Sequence, residues 1–279
     1  TPQKGFQHWF THGFGGGPYY GWTAVRDGEL YKEPGYVTDV FTDEALRFLD
    51  THGDGPEPWY LHVTYTAPHS PWDRDNHPAE VWETYNDCGF AATPDLPLHP
   101  WQANTAPQGT GERRKELLHG YYTAITAMDT QIGRILDWLE AHDQRENTLV
   151  VFTSDNGMNM GHHGLFGKGN ATFPQNMYDT SVKVPFLVCF PKAIRGGRTI
   201  CNLYSHYDLM PTLIGLPGPA GRSHTKTPRQ EFRGYPARQR DRGGCRQYRR
   251  FQRIRLFQND QKQAVQTDYP GRPLLRRVL

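Results

Sequence analysis

The chain has 279 residues, 36% hydrophobic and 13% aromatic, enough for a sizeable core over most of its length. Its net charge of +2 hides a division: residues 219–279 hold sixteen Lys or Arg against four acids, a net +12, which leaves −10 on residues 1–218. No apolar run of about 18 residues occurs, which excludes a membrane-spanning helix, and Cys88, Cys189, Cys201 and Cys245 form no C-x-x-C pair or metal-ligand spacing.

Residues 5–36 are rich in glycine and aromatics (Phe6, Trp9, Phe10, Phe14, Tyr19, Tyr20, Trp22), which predicts a loop packed on a core or lining a pocket. Thr38–Leu49, with Asp43 and Glu44 early, predicts a short helix ending before Gly53. Trp59–Tyr65 alternates around Leu61 and Val63 and predicts a strand, stopped by the prolines of Ala67-Pro68-His69-Ser70-Pro71. Residues 72–111, rich in Pro, Asn and Asp, predict a long surface excursion at the rim of a site. From Glu112 to His142 apolar residues recur at alternating spacings of three and four, the pattern of an amphipathic helix. A strand follows at 148–153, and after a glycine-rich loop another at Pro185–Phe190, with Cys189 expected as a buried thiol. A short helix covers Tyr207–Gly215, with Asp208 in its first turn. This succession is an α/β pattern.

Beyond Pro217 the sequence shows no period of 2 or 3.6, fourteen Arg and eight Gln. The division is therefore a body over 1–218 and a basic, low-order tail over 219–279. The tail is open to three readings: a disordered basic segment, missense sequence from an out-of-frame junction, or a nucleic-acid arm. No aromatic interleaving accompanies the arginines, so no nucleic-acid partner is expected.

The chemistry concentrates where two strands end. Asp155-Asn156-Gly157 alone is a good turn, His162-His163 between glycines alone a loop, His69 alone a turn cap, and Lys168 alone a solvated charge. Together, in loops that leave two strands of one α/β sheet, they suit a cation beside an anion. Asp155 and Asn156 offer oxygens to a hard cation such as Ca²⁺ or Mg²⁺. Lys168, flanked by glycines, and His69 offer donors to a bound oxyanion.

Several motifs in this order, Ala67-Pro68-His69-Ser70-Pro71, Tyr122–Asp129, Thr153–Gly157, Gly164–Lys168, Val182–Pro185 and His206–Thr212, resemble the sulfatases of the alkaline-phosphatase superfamily from about Lys4 to Pro217. The resemblance implies an α/β fold with a central, mostly parallel sheet flanked by helices, incomplete here, and makes 1–218 part of a catalytic domain. It makes Asp155 and Asn156 two ligands of the active-site metal, usually Ca²⁺. Lys168 is similar to the lysine that contacts a sulfate oxygen and assists the leaving group, and His69 to the histidine that hydrogen-bonds the sulfate and bridging oxygen. His163-Gly164 is similar to the family's His-Gly pair and implies a substrate contact, although His162 stands where an acidic residue is frequent. The implied activity is hydrolysis of an organic sulfate ester, of a small molecule or a saccharide. The alternatives are a phosphonate or phosphate ester hydrolase of the same superfamily, or an inactive fragment.

One departure is large. The family's nucleophile is a formylglycine made from Cys or Ser in a C/S-x-P-x-R sequence, and no such sequence occurs here. The chain starts at Thr1 rather than Met, so it is expected to begin inside a longer protein, after the nucleophile and a pair of metal-binding Asp. Targeting information, and with it localisation, is not legible. The family's C-terminal subdomain is not recognisable after Pro217.

Overall fold

The computed structural model describes residues 5–14, 16–215 and the strand Ile254–Leu256. The segment expected as an aromatic loop is an antiparallel sheet of β1 (Phe10–His12), β2 (Trp22–Arg26) and β3 (Glu29–Glu33). The reason is local. Arg26 pairs with Glu29 across Asp27-Gly28, both with positive φ (52° and 91°), the geometry of the tight hairpin turn that Asp-Gly favours. The aromatics do pack inward: Tyr19 and Trp22 are buried, with Phe10 and Phe41 edge-on to Trp22.

Helix α1 (Val37–His52) is longer than its periodicity implied. It packs on the long helix α3 (Gly111–Ala141) through Leu49, Trp138 and Leu139. The Trp138 indole N–H donates to Asp50 at 2.6 Å, and Arg134 pairs with Asp43 at 2.8 Å. The same cluster takes in Trp59, Leu61 and Val150. Residues 59–65 alternate half-buried and exposed as the sequence requires, yet among the described residues no strand pairs with them. They form an extended segment rather than the expected strand, because a ladder needs a neighbour.

The central sheet runs β4 (Val150–Thr153), β7 (Phe186–Cys189), β9 (Ile254–Leu256), β8 (Arg198–Ile200). Among the described strands β7–β9 is parallel while β4–β7 and β8–β9 are antiparallel, a mixed sheet within the expected α/β fold. Residues 154–185, between β4 and β7, form a hairpin and the one-turn helix α4 (Asp179–Val182) rather than a crossover helix, and β7 returns antiparallel. Cys189 is buried and free as expected. Strand β9 lies in the tail read as patternless. Its signal is the short alternation Arg253-Ile254-Arg255-Leu256; otherwise the expectations for 219–279 lie outside the described residues.

The excursion 72–111 holds α2 (Ala79–Glu83) and is pinned down rather than loose. Buried Arg114 of α3 donates to the carbonyls of Phe90 (2.9 Å), Pro94 (3.1 Å) and Thr93. Gly120 of α3 lets the Trp72 backbone approach so closely that a Cβ there would overlap the Trp72 carbonyl. Gly120→Ala therefore tests this contact against helix propensity. Alanine favours a helix by about 1 kcal/mol, yet overpacking against backbone is expected to give a net loss of about 1–3 kcal/mol, read as a lower denaturant midpoint. A gain in stability would contradict the close approach.

Candidate functional site

The loop after β4 begins with Ser154-Asp155-Asn156-Gly157. Asp155 is exposed and Asn156 half-buried. The Ser154 hydroxyl lies 3.0 Å from the Asn156 carbonyl and 3.4 Å from the Asp155 carboxylate. The Asn156 side-chain N–H₂ donates to the Gly157 carbonyl at 2.9 Å, which turns its oxygen, the atom a hard cation takes, away from that contact. Gly157 N–H donates to the Ser181 carbonyl at 3.0 Å, fixing the end of the loop to α4.

A small hairpin follows, β5 (Asn159–Met160) and β6 (Phe166–Gly167), with Asn159 opposite Gly167. That register places Asp155 and Asn156, just before β5, and Lys168, just after β6, at the same open end of the hairpin. The half-buried Lys168 has its carbonyl held by Ala171 N–H (3.0 Å) and the Asn176 side chain (3.1 Å).

His162 and His163 lie at the opposite, closed end. His163 has φ 58°, and its ring stacks on Tyr178 at 4.0 Å. Burial, and then the adjacent His163, lower the pKa of His162, so it is neutral near pH 7. The structure thus separates this pair from Lys168 along the hairpin.

His69 is exposed on a turn closed by its own N–H to the Thr66 carbonyl (2.9 Å). Its Nδ1–H donates to the Ser70 carbonyl at 2.8 Å, which leaves Nε2 for a ligand. The turn is anchored twice: the Trp72 indole donates to the Pro68 carbonyl (2.9 Å) and the Tyr19 hydroxyl to the His69 carbonyl (2.7 Å). Burial, and then Tyr36, raise the Tyr19 phenol well above its usual pKa, so it remains a donor. Gly16 lies beside the His69 ring. Trp72 shares one apolar cluster with Met160 and Phe166 of the hairpin, around Leu117 and Leu118 of α3. The His69 turn and the hairpin are therefore seated on the same stretch of helix.

Sequence reasoning missed the residues that hold this arrangement. Asn159 is fully buried in a strand, where an amide must find partners, but in the sequence it is one more polar residue of a glycine-rich loop. Gln102 was not readable: its side chain pairs with both backbone groups of Phe166 (3.0 and 2.8 Å) across 64 residues of sequence. His206, at 3.4 Å from Thr153, comes to the end of β4 beside the Asp155 loop.

A cation site of this kind needs 6–8 oxygens, and Asp155 and Asn156 supply two of the right chemistry. Among the described residues no group of three or more His, Cys, Asp or Glu forms a metal cluster. No helix there is long and apolar enough to cross a membrane.

Compared with known proteins, residues 1–219 match the family described as Sulfatase. The chain is 27% identical to an N-acetylglucosamine-6-O-sulfatase of Bacteroides thetaiotaomicron, over 77% of this chain and 49% of that protein. It is 30% identical to an ulvan-active sulfatase of Formosa agariphila, over 77% of this chain and 39% of that one. It superposes on the crystal structure of a putative sulfatase, yidJ, from Bacteroides fragilis with a TM-score of 0.58 and 27% identity, over 76% of this chain and 44% of that chain. The chain spans less than half the length of each of these relatives.

Proposed function

The chain belongs to the sulfatase family, and from that premise we propose that it supplies part of a site where an organic sulfate ester is hydrolysed. The observation that carries the proposal is the hairpin register, which places Asp155, Asn156 and Lys168 at one end of β5–β6. Asp155 and Asn156 would hold a divalent cation, Ca²⁺ or Mg²⁺. When bound, such a cation offsets negative charge at the sulfate and orients it. Lys168 binds a sulfate oxygen and favours the charge that builds up there as the ester bond breaks. His69, its Nδ1–H held by the Ser70 carbonyl, assists the departing alcohol only when Nε2 is protonated as well; that Nε2–H bonds the bridging oxygen and its proton leaves with the alcohol, returning the ring to neutrality. His163, on Tyr178, lies at the rim and contacts the organic part of the substrate.

The names of the relatives, an N-acetylglucosamine-6-O-sulfatase and an ulvan-active sulfatase, favour a sulfated saccharide as the substrate class. We place the nucleophile, formylglycine in this family, outside these residues, because no Cys or Ser here stands in a C/S-x-P-x-R sequence.

The test separates binding from chemistry. The 279-residue chain is expected to bind inorganic sulfate, more weakly once a chelator removes divalent cations, and to release no sulfate from an aryl sulfate, since loss of a covalent nucleophile abolishes most of the rate enhancement. Steady metal-dependent sulfate release by this chain would show that the catalytic machinery lies elsewhere within it.

A further inference from the structure

We propose that Asn159, Ser181 and Asn176 form a positioning relay that fixes the spacing between the Asp155–Asn156 loop and Lys168, with the one-turn helix α4 as its clamp. The inference rests on the sulfate-site reading above and adds residues that touch neither cation nor sulfate.

The relay is a directed chain of hydrogen bonds. Asn159 is fully buried. Its side-chain N–H₂ donates to the Gly167 carbonyl at 3.0 Å and to the Ser181 hydroxyl oxygen at 2.7 Å, and its oxygen accepts from the Thr180 hydroxyl. The Ser181 hydroxyl, having accepted from Asn159, spends its one proton on the Asn176 side-chain oxygen at 2.6 Å. The Asn176 N–H₂ donates in turn to the Lys168 and Gly169 carbonyls, both at 3.1 Å. Each amide proton is used once, so the sense of the chain is determined from Asn159 outward.

The same helical turn also grips the other loop. The Ser181 carbonyl accepts from Gly157 N–H at 3.0 Å, and a Cβ on Gly157 would overlap the Thr180 carbonyl. Ser181 therefore holds the Asp155–Asn156 loop by its backbone and the Lys168 loop by its side chain. A fully buried amide costs stability unless its polar atoms are hydrogen-bonded, and the oxygen and both side-chain protons of Asn159 have partners through these bonds. Here they set the distance between two sheet-edge loops that carry opposite charges.

Hydrogen exchange on the whole chain, together with sulfate titration, provides the test. Ser181→Ala leaves the Ser181 carbonyl in place, so a purely local role predicts no change at Gly157. The relay predicts that the amides of Gly157, Ala171 and Asn176 lose protection together, by about tenfold, while α3 is unchanged. It also predicts an affinity for inorganic sulfate lower by about tenfold with Lys168, Asp155 and Asn156 intact. Ser181→Thr, which keeps the hydroxyl, is expected to restore both. Asn176→Ala, at the half-buried outer end, is expected to uncouple the loops in the same way should Ser181→Ala fold poorly. Loss of protection in one loop only, or unchanged sulfate affinity in an uncoupled variant, overturns the relay. A wild-type chain that binds no sulfate overturns the proposed function instead, and the exchange pattern still decides whether the two loops are coupled.

Discussion

Lys168→Ala is expected to weaken inorganic sulfate binding by about 10- to 100-fold, since a hydrogen bond to a charged group contributes about 1.5–3 kcal/mol. The loss should come without a matching loss of stability, because Lys168 is half-buried and its loop is held by its backbone carbonyl rather than by its ammonium. Asp155→Ala is expected to act differently. It should leave sulfate binding in chelator nearly unchanged and remove the strengthening that Ca²⁺ brings. The double variant should show neither metal dependence nor specific binding. Calorimetric titrations with and without Ca²⁺ separate the three. Equal effects of both single variants under both conditions would mean that the residues do not act as cation ligand and anion donor.

Acid should destabilise the fold through His77. Its ring lies against Tyr19 (4.9 Å) and Trp82 (6.2 Å), and burial lowers its pKa to about 4, opposed only in part by the Pro71 carbonyl and the Asp73 carboxylate. Above pH 6.5, the ordinary histidine value, His77 is neutral folded or unfolded and contributes no pH dependence. Between pH 6.5 and 4 the unfolded chain takes up a proton that the folded one refuses, so stability falls with pH. Below pH 4 both forms are protonated and the loss levels off at about 3 kcal/mol. Because Tyr19 holds the His69 carbonyl, the His69 turn should loosen with it. His77→Phe is expected to flatten this part of the profile, measured as the urea midpoint at pH 7 and pH 4.5. An identical fall in both proteins would place the acid sensitivity elsewhere.

What the sequence showed and hid follows from the range of the interactions. Helix α3 and strands β4 and β7 were legible because each carries a long period or an apolar run of its own. Asp155, Asn156 and Lys168 stood out because an acid, an amide and a lysine share one short glycine-rich stretch, and the β5–β6 register brings them to one end of the hairpin. The β2–β3 hairpin was missed: Asp27-Gly28 is its turn signal, but the surrounding aromatics and glycines pointed to a loop. Residues 59–65 show the opposite failure. Their alternation was correct and is visible in their burial, but pairing is a property of two segments. The roles of Gln102 and Arg114 were beyond reach, since both hold backbone atoms far away in sequence, and nothing in a local pattern records such a bond. The relation of His69 to the hairpin had the same obstacle, because it passes through Trp72, α3 and Phe166.

The measurement that bears most directly on the shared site is a two-step titration of the ¹⁵N-labelled chain, first with Ca²⁺ and then with inorganic sulfate. Calcium is expected to move the amide signals of Asp155, Asn156 and Gly157. Sulfate is then expected to move those of Lys168 and His69, at lower concentration when calcium is present. Sulfate shifts confined to the basic residues of 219–279, with Lys168 and His69 unmoved and calcium without effect on Asp155 and Asn156, would contradict the account.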